Sequence, residues 1–298
     1  MKSIMEGFPN MERERVLVTG AKGMLGRAVV GCFRHHFETV AMSRDELDIC
    51  DPQGVSRVLQ GVRPSIIVNC AAYTDVDRAE EDVDQAYRVN SKGPLILARL
   101  SKEMGSRLVH VSTDYVFDGE AHGPYLEFAQ RAPRSIYGKS KALGEMFVEE
   151  SGCDYLIVRT AWLFGPGGRN FVRTIFGLTK EQKTLKVVDD QTGAPTYTHD
   201  LAQALLELCK SGAQGLFHFT NSGPVTWYGL ARYIVEVSGA RTEVIPVATE
   251  EFPRPAPRPR YSVLDTTKYQ LVTGRVPRPW KQAVEEYVAD LSGEWSSQ

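Results

Sequence analysis

The segment VLVTGAKGMLG, residues 16–26, decides the fold. Its apolar start is typical of a strand that ends at Gly20, and a helical pattern begins near Met24. The glycines are spaced G-x-x-G-x-x-G, one residue longer than the G-x-G-x-x-G turn that binds dinucleotides. Gly20 and Gly23 would allow a sharp turn and a close approach to a pyrophosphate, while Gly26 would let the helix pack near the sheet. The segment therefore predicts a nucleotide cofactor at the helix start, and the alternative is a glycine turn with only a structural role.

Predicted strands and helices alternate up to residue 160, which is typical of βαβ units. We therefore predict an α/β fold, a Rossmann-type doubly wound parallel sheet, with a dinucleotide-binding domain over residues 15–160. Residues 161–298 are predicted to form mainly a smaller substrate-binding lobe, of which residues 184–220 are candidates to add strands to the main sheet. Residues 1–14 form an extension without an assigned role. The predicted strands are 16–19, 39–42, 65–69, 107–112, 155–160, 184–188, 216–220 and 243–245, and the predicted helices are 24–35, 51–59, 83–104 (interrupted near Gly93), 137–150, 171–180, 201–210, 227–237 and 280–291.

Composition excludes several classes of protein. The chain has 298 residues, of which 42% are hydrophobic and 24% charged, as in ordinary globular proteins. A formal charge of −2 gives no electrostatic reason to expect nucleic acid or an anionic membrane as a partner. No apolar stretch approaches the ~20 residues of a membrane helix. The five cysteines form no C-x-x-C pair, so we expect no metal site of that kind and a reducing, cytoplasmic location.

The end of the second predicted strand bears on the choice of cofactor. An acidic residue there would bind the ribose 2′-hydroxyl of NAD. Here the strand runs into Ser43 and Arg44, and the first carboxylate is Asp45. Ser43 and Arg44 suit a 2′-phosphate, and Lys22 would add a second positive charge. We therefore predict NADPH, with NADH as the alternative cofactor and a solvated surface charge as the alternative role for Arg44.

Tyr137 and Lys141 form a Y-x-x-x-K pair at the start of a predicted helix, where residues four apart share a face. A free phenol has a pKa of ~10 and is a poor acid–base group at neutral pH. An ammonium about 4 Å away would favour the phenolate by roughly 4 kcal/mol, equivalent to ~3 pKa units. Thr113 ends the fourth predicted strand, where open α/β sheets bind ligands. We predict that it contacts a substrate oxygen, and the alternative is a strand-end cap.

Several motifs in order resemble those of the extended short-chain dehydrogenase/reductase superfamily, and within it the dTDP-4-dehydrorhamnose reductase family. The resemblance covers about residues 15–290. Cys70 and Ala161 depart from the family pattern at positions that are often alanine and serine. The motifs that carry it are GAKGMLG (20–26), NCAAYTDVDRAE (69–80), STDYVFDG (112–119), YGKSK (137–141), RTAWLFG (159–165), NFV (170–172), DQTGAPT (190–196) and RPRYSVL (258–264).

The resemblance implies NADPH-dependent reduction of the C4 ketone of dTDP-4-dehydro-6-deoxy-L-mannose to dTDP-L-rhamnose, a step that serves cell-surface polysaccharides. It implies that Tyr137 donates a proton, that Lys141 holds the nicotinamide ribose, and that Thr113 orients the carbonyl. Asp114 and Trp162 would contact the nucleotide sugar together with Thr113, and Asn170 and Arg258 are further candidates for binding the diphosphate or base. The full set of predicted cofactor contacts, from the turn and from the resemblance, is Gly20, Lys22, Gly23, Met24, Leu25, Gly26, Ser43, Arg44, Asp48, Ile49, Ala71, Ala72, Tyr73, Val111, Tyr137 and Lys141.

Alternative functions remain open on the sequence. One is an NAD-dependent nucleotide-sugar epimerase or dehydratase, and another is a non-catalytic regulatory subunit on the same scaffold. Relatives of this kind are often dimers, so a homodimer is expected. Some members of the family are described with magnesium, but no compact carboxylate cluster predicts a metal site here, and the requirement stays open.

Overall fold

Strands and helices alternate along residues 15–160, as predicted. The computed structural model describes residues 14–296, so the predicted extension lies outside it except for Glu14. The strands are β1 (Arg15–Thr19), β2 (Glu38–Met42), β3 (Ile66–Asn69), β4 (Arg107–Thr113), β5 (Tyr155–Thr160), β6 (Leu163–Phe164), β7 (Thr184–Val188), β8 (Thr192–Gly193), β9 (Thr196–Tyr197), β10 (Gly215–His218), β11 (Val225–Thr226) and β12 (Glu243–Val247). The helices are α1 (Met24–Phe33), α2 (Pro52–Val62), α3 (Val83–Tyr87), α4 (Gly93–Met104), α5 (Ile136–Glu150), α6 (Phe171–Leu178), α7 (Thr198–Lys210), α8 (Trp227–Val237), α9 (Thr267–Thr273) and α10 (Trp280–Ser296).

The central sheet has six parallel strands in the order β10-β5-β4-β3-β1-β2. The chain moves from β1 outward to β2 and then returns to β3 on the other side of β1. This reversal of direction opens a crevice at the carboxyl ends of β1 and β3, which is where doubly wound sheets bind ligands. The predicted α/β fold class is confirmed.

Helices cover both faces of the sheet, which explains why its inner strands are apolar on both sides. β3 is buried over its whole length. One hydrophobic core joins the sheet to α1 and α7, and another joins it to α2 and α4. A third core lies in the second half of the chain, where α6, α8 and α10 pack together with β7.

The expectation that residues 184–220 add strands to the main sheet holds for β10, which pairs with β5 at the sheet edge. It does not hold for β7, which pairs with β12 in a separate two-stranded sheet. Burial alternates along β7, so this strand packs on one face only and lacks the apolar outer face that the main sheet requires. The proposed division into domains at residue 160 stays a prediction.

The helix predicted over residues 83–104 is divided into α3, a π-helical turn at Arg88–Lys92, and α4. The irregular turn lies next to Gly93, where the interruption was predicted, and ends one residue before it. Asn90 in this turn is buried, and its amide binds the backbone of Tyr73 and the hydroxyl of Ser140 on α5. A Cβ on Gly144 of α5 would lie 2.1 Å from the Asn90 carbonyl oxygen, so glycine is needed for this close contact. The turn thereby fixes the position of α5.

Within residues 14–296, no helix combines the length and the apolar character that crossing a membrane would require.

The close contact at Gly144 predicts a stability difference between two glycines. Gly144→Ala must push α5 away from the Asn90 carbonyl, and we expect a loss of about 1–3 kcal/mol in unfolding free energy. Gly31→Ala is the matched control, because a Cβ on Gly31 of α1 meets nothing within 4 Å. It should be neutral or add up to about 1 kcal/mol. Urea unfolding measures both, and equal stabilities for the two variants would contradict the packing argument.

Candidate active site

The first turn closes tightly against the loop after β3. Gly20 has φ +67°, and a Cβ there would lie 2.7 Å from the backbone nitrogen of Ala71. A Cβ on Gly26 would lie 2.2 Å from the Gly20 carbonyl oxygen. Gly23 is the N-cap of α1 and offers no side-chain cap, so backbone N–H groups at the helix start lack an intrahelical partner. These features suit the pyrophosphate that the glycine spacing predicts, and its binding here stays a prediction.

A cavity of about 250 Å³ lies beside this turn. It extends between the turn, the segment after β2 and the loop after β3. Its lining brings together many of the residues predicted to contact the cofactor, namely Gly20, Lys22, Gly23, Arg44, Asp48, Ile49, Ala71, Ala72 and Tyr73. Its position at the switch point between β1 and β3 suits the adenosine half of a dinucleotide.

The charges at the end of β2 differ from the predicted arrangement. Ser43 is buried, and both its backbone N–H and its hydroxyl donate to one oxygen of Glu46, at 2.8 and 2.7 Å. These hydrogen bonds lower the pKa of Glu46. Lys22 pairs with Asp45 at 3.2 Å on the surface. Sequence reasoning named Asp45 as the first carboxylate after this strand but missed Glu46, whose carboxylate binds Ser43.

A second cavity, of about 570 Å³, contains the three predicted catalytic residues. Thr113, Tyr137 and Lys141 all line it, although they come from the end of β4 and the start of α5. The turn at the start of α1 lines it as well, through Gly23, Met24, Leu25 and Gly26. Because both cavities share Gly23, Cys70 and Ala72, they form one groove across the carboxyl ends of the strands.

Tyr137 lies in the first turn of α5, which Ser135 caps by accepting a hydrogen bond from the Gly138 N–H at 3.0 Å. Desolvation of the phenol raises the pKa of Tyr137 to about 12, and a hydrogen bond with Thr113 acts in the opposite direction. The prediction that Lys141 lowers this pKa is wrong for this structure, because the Lys141 amine is directed elsewhere. Tyr137 is consequently protonated at neutral pH, which is the form that can donate a proton.

Lys141 is almost completely buried beneath the cavity, with 2% of its surface exposed. Its Nζ donates to the Val111 carbonyl oxygen at 2.7 Å and lies 3.4 Å from Nε2 of His110. Burial lowers the pKa of Lys141 to about 8, and the nearby Glu145 carboxylate acts in the opposite direction. Val111, predicted as a cofactor contact, lines the cavity and also anchors this lysine.

Thr113 and Asp114 are joined at the end of β4. The Thr113 hydroxyl donates to Asp114 Oδ1 at 2.9 Å and accepts from the Tyr115 N–H at 3.2 Å. Thr113 therefore fills the strand-end capping role that was its alternative, in addition to facing the cavity. Asp114 is buried. Burial raises the pKa of its carboxyl group to about 6, and hydrogen bonds from Ser262 and Thr113 act to lower it.

Trp162 forms part of the cavity wall and is held in an unusual position. Its φ of +48° is a left-handed conformation that bulky residues rarely adopt. Its indole stacks on Trp227, with ring centroids 3.4 Å apart, and a Cβ on Gly193 would lie 2.5 Å from the ring. Sequence reasoning missed Trp227, which lies 65 positions further along the chain and meets Trp162 only through tertiary packing.

Arg258 and Asn170, the other two predicted substrate contacts, lie in different surroundings. Arg258 lines a neighbouring cavity of about 410 Å³ and pairs with Asp77 at 2.8 Å.

Asn170 is buried and lines neither the catalytic cavity nor the cavity that contains Arg258. Its side chain caps α6 by accepting from the Arg173 N–H, and its amide donates to the Gly165 carbonyl at 2.9 Å and to the Tyr287 hydroxyl at 3.2 Å. The predicted contact of Asn170 with the substrate therefore has to be corrected to an internal capping role, because its side chain is used to fix the loop before α6.

In the part of the chain that the structure describes, no group of three or more His, Cys, Asp or Glu side chains is placed to hold a metal ion.

Comparison with known proteins agrees with this geometry. The family described as RmlD substrate binding domain matches residues 14–292. A dTDP-4-dehydrorhamnose reductase from Mycobacterium tuberculosis is 41% identical over 284 residues, which cover 93% of each chain. The chain belongs to the dTDP-4-dehydrorhamnose reductase family. It is therefore an oxidoreductase of this type.

Other members and neighbours extend the comparison. A dTDP-4-keto-6-deoxy-D-glucose reductase from Streptomyces niveus is 44% identical over 277 residues, 92% of this chain and 96% of that protein. The crystal structure of dTDP-4-dehydrorhamnose reductase from Bacillus anthracis in complex with NADP has a TM-score of 0.91 and 39% identity, covering 93% of this chain and 99% of that one. A UDP-glucose 4-epimerase from Thermus thermophilus has a TM-score of 0.82 but 24% identity, so it shares the fold alone.

The burial of Asp114 predicts a pH-dependent loss of stability. The folded state binds the Asp114 proton more tightly than the unfolded state, so stability falls as the pH rises from about 4 to about 6. Relative to Asp114→Asn, the unsubstituted protein should lose up to about 3 kcal/mol across this interval, as measured by urea unfolding at a series of pH values.

Asp118→Asn is the matched control for this measurement. A hydrogen bond from Tyr125 lowers the pKa of Asp118, so its contribution is present at neutral pH and lost as the pH falls. The stability difference for Asp118→Asn should therefore change with pH in the opposite direction. A pH-independent difference for Asp114→Asn would show that this carboxyl group is not desolvated.

Proposed function

We propose that the protein uses NADPH to reduce the C4 ketone of dTDP-4-dehydro-6-deoxy-L-mannose to dTDP-L-rhamnose. The observation that carries this proposal is that Thr113, Tyr137 and Lys141 line the same cavity as the glycine turn at the start of α1. A proton donor therefore faces the place where a dinucleotide would end. The names of the relatives and the NADP bound to the Bacillus anthracis protein support the choice of reaction and cofactor.

The bound cofactor would supply hydride to the carbonyl carbon of the sugar. Tyr137, which is protonated at neutral pH, then gives its phenolic proton to the carbonyl oxygen as negative charge develops there. Thr113 lies next to the phenol, and its hydroxyl would donate to the same oxygen once it turns from Asp114 to the substrate. Lys141 lies beneath the reacting groups, on the same helix as Tyr137, where its ammonium group would hold the hydroxyls of the nicotinamide ribose.

The cavity walls suit a nucleotide sugar. The Trp162 indole gives the hexose a flat apolar surface, and Asp114 offers a hydrogen-bonding carboxyl group at its edge. The neighbouring cavity with Arg258 would take the diphosphate and base, and Arg254 and Lys186 add positive charge to its lining. Asp77 holds Arg258 in place at 2.8 Å, so the arginine faces the nucleotide from a fixed position.

A second candidate is the reduction of a differently configured 4-keto-6-deoxyhexose carried by the same nucleotide. The Streptomyces niveus relative, named for dTDP-4-keto-6-deoxy-D-glucose, is as similar to this chain as the rhamnose-type reductases. The proton donor and the cofactor turn would serve either sugar. The preference for one sugar would depend on contacts with the hexose. The substrates compared in the next experiment distinguish the two candidate reactions.

The test follows the loss of NADPH absorbance with each sugar. We expect turnover with dTDP-4-dehydro-6-deoxy-L-mannose, much less with dTDP-4-keto-6-deoxy-D-glucose, and little with UDP- or GDP-linked ketosugars. Tyr137→Phe should lower kcat by about 10²–10⁴-fold and leave NADPH binding intact, since the phenol acts as general acid. Tyr155→Phe, at the start of β5, is the control and should be unchanged. Turnover that survives in Tyr137→Phe would exclude the proton-donor role.

The charge on Glu46 leads to a prediction of how tightly the protein binds NADPH relative to NADH. Its carboxylate is held by Ser43 at the end of β2, next to the position where a 2′-phosphate would bind. Removing this charge by Glu46→Gln should tighten NADPH binding by about 5-fold, the size of one exposed charge interaction, and leave NADH binding unchanged or weaker.

Glu38→Gln provides the control, because Glu38 is exposed on the same strand and pairs with Arg15 at its far end. Fluorescence titration with both nucleotides measures the effect. Weaker NADPH binding in Glu46→Gln would mean that the carboxylate helps to hold the cofactor, which would contradict the expected repulsion of the 2′-phosphate.

A further inference from the structure

A line of polar side chains crosses the sheet beneath the cavity. Thr19 of β1, Asn69 of β3 and His110 of β4 are register partners on neighbouring strands, and all three are buried. The line continues to Lys141 of α5, whose Nζ lies 3.4 Å from His110 Nε2. Buried polar groups in otherwise apolar strands are costly unless they bond to one another, so this arrangement requires an explanation.

The direction of each hydrogen bond in this line can be assigned. Asn69 Oδ1 accepts from the Thr19 hydroxyl at 2.7 Å and from the backbone N–H of Ala71 at 3.1 Å. Because a backbone N–H can only donate, the amide oxygen of Asn69 must face Ala71. Its Nδ2 therefore faces His110 Nδ1, at 3.1 Å, and donates to it.

The protonation of His110 follows from this assignment. A nitrogen that accepts from Asn69 carries no proton, so the neutral imidazole has its proton on Nε2. Burial lowers the pKa of His110 well below its usual value, and the nearby Lys141 acts in the same direction, so the ring is neutral. The Nε2–H consequently points at Lys141 Nζ.

The His110 Nε2–H can form a hydrogen bond with the amine form of Lys141 but not with its ammonium form. An amine has a lone pair that can accept a hydrogen bond from Nε2–H while its own N–H donates to the Val111 carbonyl oxygen. An ammonium group has no lone pair, so its N–H donors would face the Nε2–H donor of His110 without forming a hydrogen bond. We propose that His110 is a positioning residue for Lys141. Asn69 fixes the Nε2–H form of the His110 ring, and this N–H favours the amine form of the lysine.

The other ionisable groups around Lys141 act with or against His110. Glu145, one turn further along α5, and the Cys70 thiol on the loop after β3 both raise the pKa of Lys141. Tyr137 and Asp114 line the same cavity. The result is a lysine that exchanges its proton close to neutral pH, where acid–base groups work best. The role of Lys141 in turnover rests on the proposed reductase function, whereas the protonation of His110 does not depend on it.

A second buried histidine gives an internal control. Of the six histidines in the sequence, His110 and His218 are buried. His218 Nε2 lies 3.4 Å from Nη1 of Arg159, and arginine can only donate. His218 Nε2 therefore accepts, and its proton lies on Nδ1. The two buried rings are expected to have opposite tautomers.

The direct test is long-range proton–nitrogen correlation NMR on the full chain with isotope-labelled histidine. We expect one buried ring with its proton on Nε2 and one with its proton on Nδ1, assigned by the loss of signals in His110→Asn and His218→Asn. The Nε2–H ring should shift with pH near about 8, as Lys141 titrates, without becoming charged. Two Nδ1–H rings, or a charged His110 at neutral pH, would overturn the proposal. If neither variant folds, the shift near about pH 8 identifies the ring beside Lys141 in the wild type, and an Nδ1–H form of that ring would overturn the proposal.

A kinetic test separates positioning from mere structural support. The shorter amide in His110→Asn can still accept from Asn69 but removes the N–H from Lys141. The alkaline limb of the kcat/KM profile should then move up by about half to one pH unit. His218→Asn should not move it. A lower kcat with an unmoved limb would mean that His110 only supports the fold, and no reductase activity in the wild type would refute the proposed function while leaving the NMR result valid.

Discussion

The buried amine of Lys141 is the interaction on which the site depends. A lysine with 2% of its surface exposed needs partners for its N–H donors. The Val111 carbonyl oxygen accepts a hydrogen bond from it, and the Glu145 carboxylate supplies negative charge nearby. These partners come from β4 and from α5 itself. The lysine can be satisfied only if α5 lies close against the end of the sheet. The close contact of Gly144 with the π-helical turn makes this approach possible.

The same approach brings the two halves of the chemistry together. The turn between β1 and α1 provides free N–H groups for phosphates, and α5 provides a phenol that burial keeps protonated. Neither half is reactive by itself. They meet because β1, β3 and β4 are neighbours in the sheet, so that the carboxyl ends of these strands and the start of α5 open into one groove. Trp162, which stacks on Trp227, forms part of the wall of this groove.

Much of this arrangement could be predicted from the sequence. The glycine turn after β1, the alternation of strands and helices, and the Y-x-x-x-K spacing depend on local rules. In the structure the elements follow the predicted order, and the turn, Tyr137 and Lys141 line one cavity. Effects that depend on tertiary packing could not be predicted. The electrostatics of Tyr137 were misjudged because spacing on a helix does not reveal where the Lys141 amine is directed. Glu46 was overlooked because its carboxylate folds back on Ser43, and Asn170 proved to be a helix cap. Polar residues at Asn69 and His110, inside apolar strands, were a signal that could have been noticed.

The account rests on one spatial relation, namely that the phenol of Tyr137 faces the end of a dinucleotide held by the turn at Gly20 to Gly26. A crystal structure of the protein with NADPH bound measures it most directly. We predict the pyrophosphate at the start of α1, the nicotinamide ring in the cavity lined by Thr113, and Lys141 within hydrogen-bond distance of the adjoining ribose. A nicotinamide ring bound outside that cavity, or on a side from which Tyr137 cannot reach a shared substrate, would contradict the account.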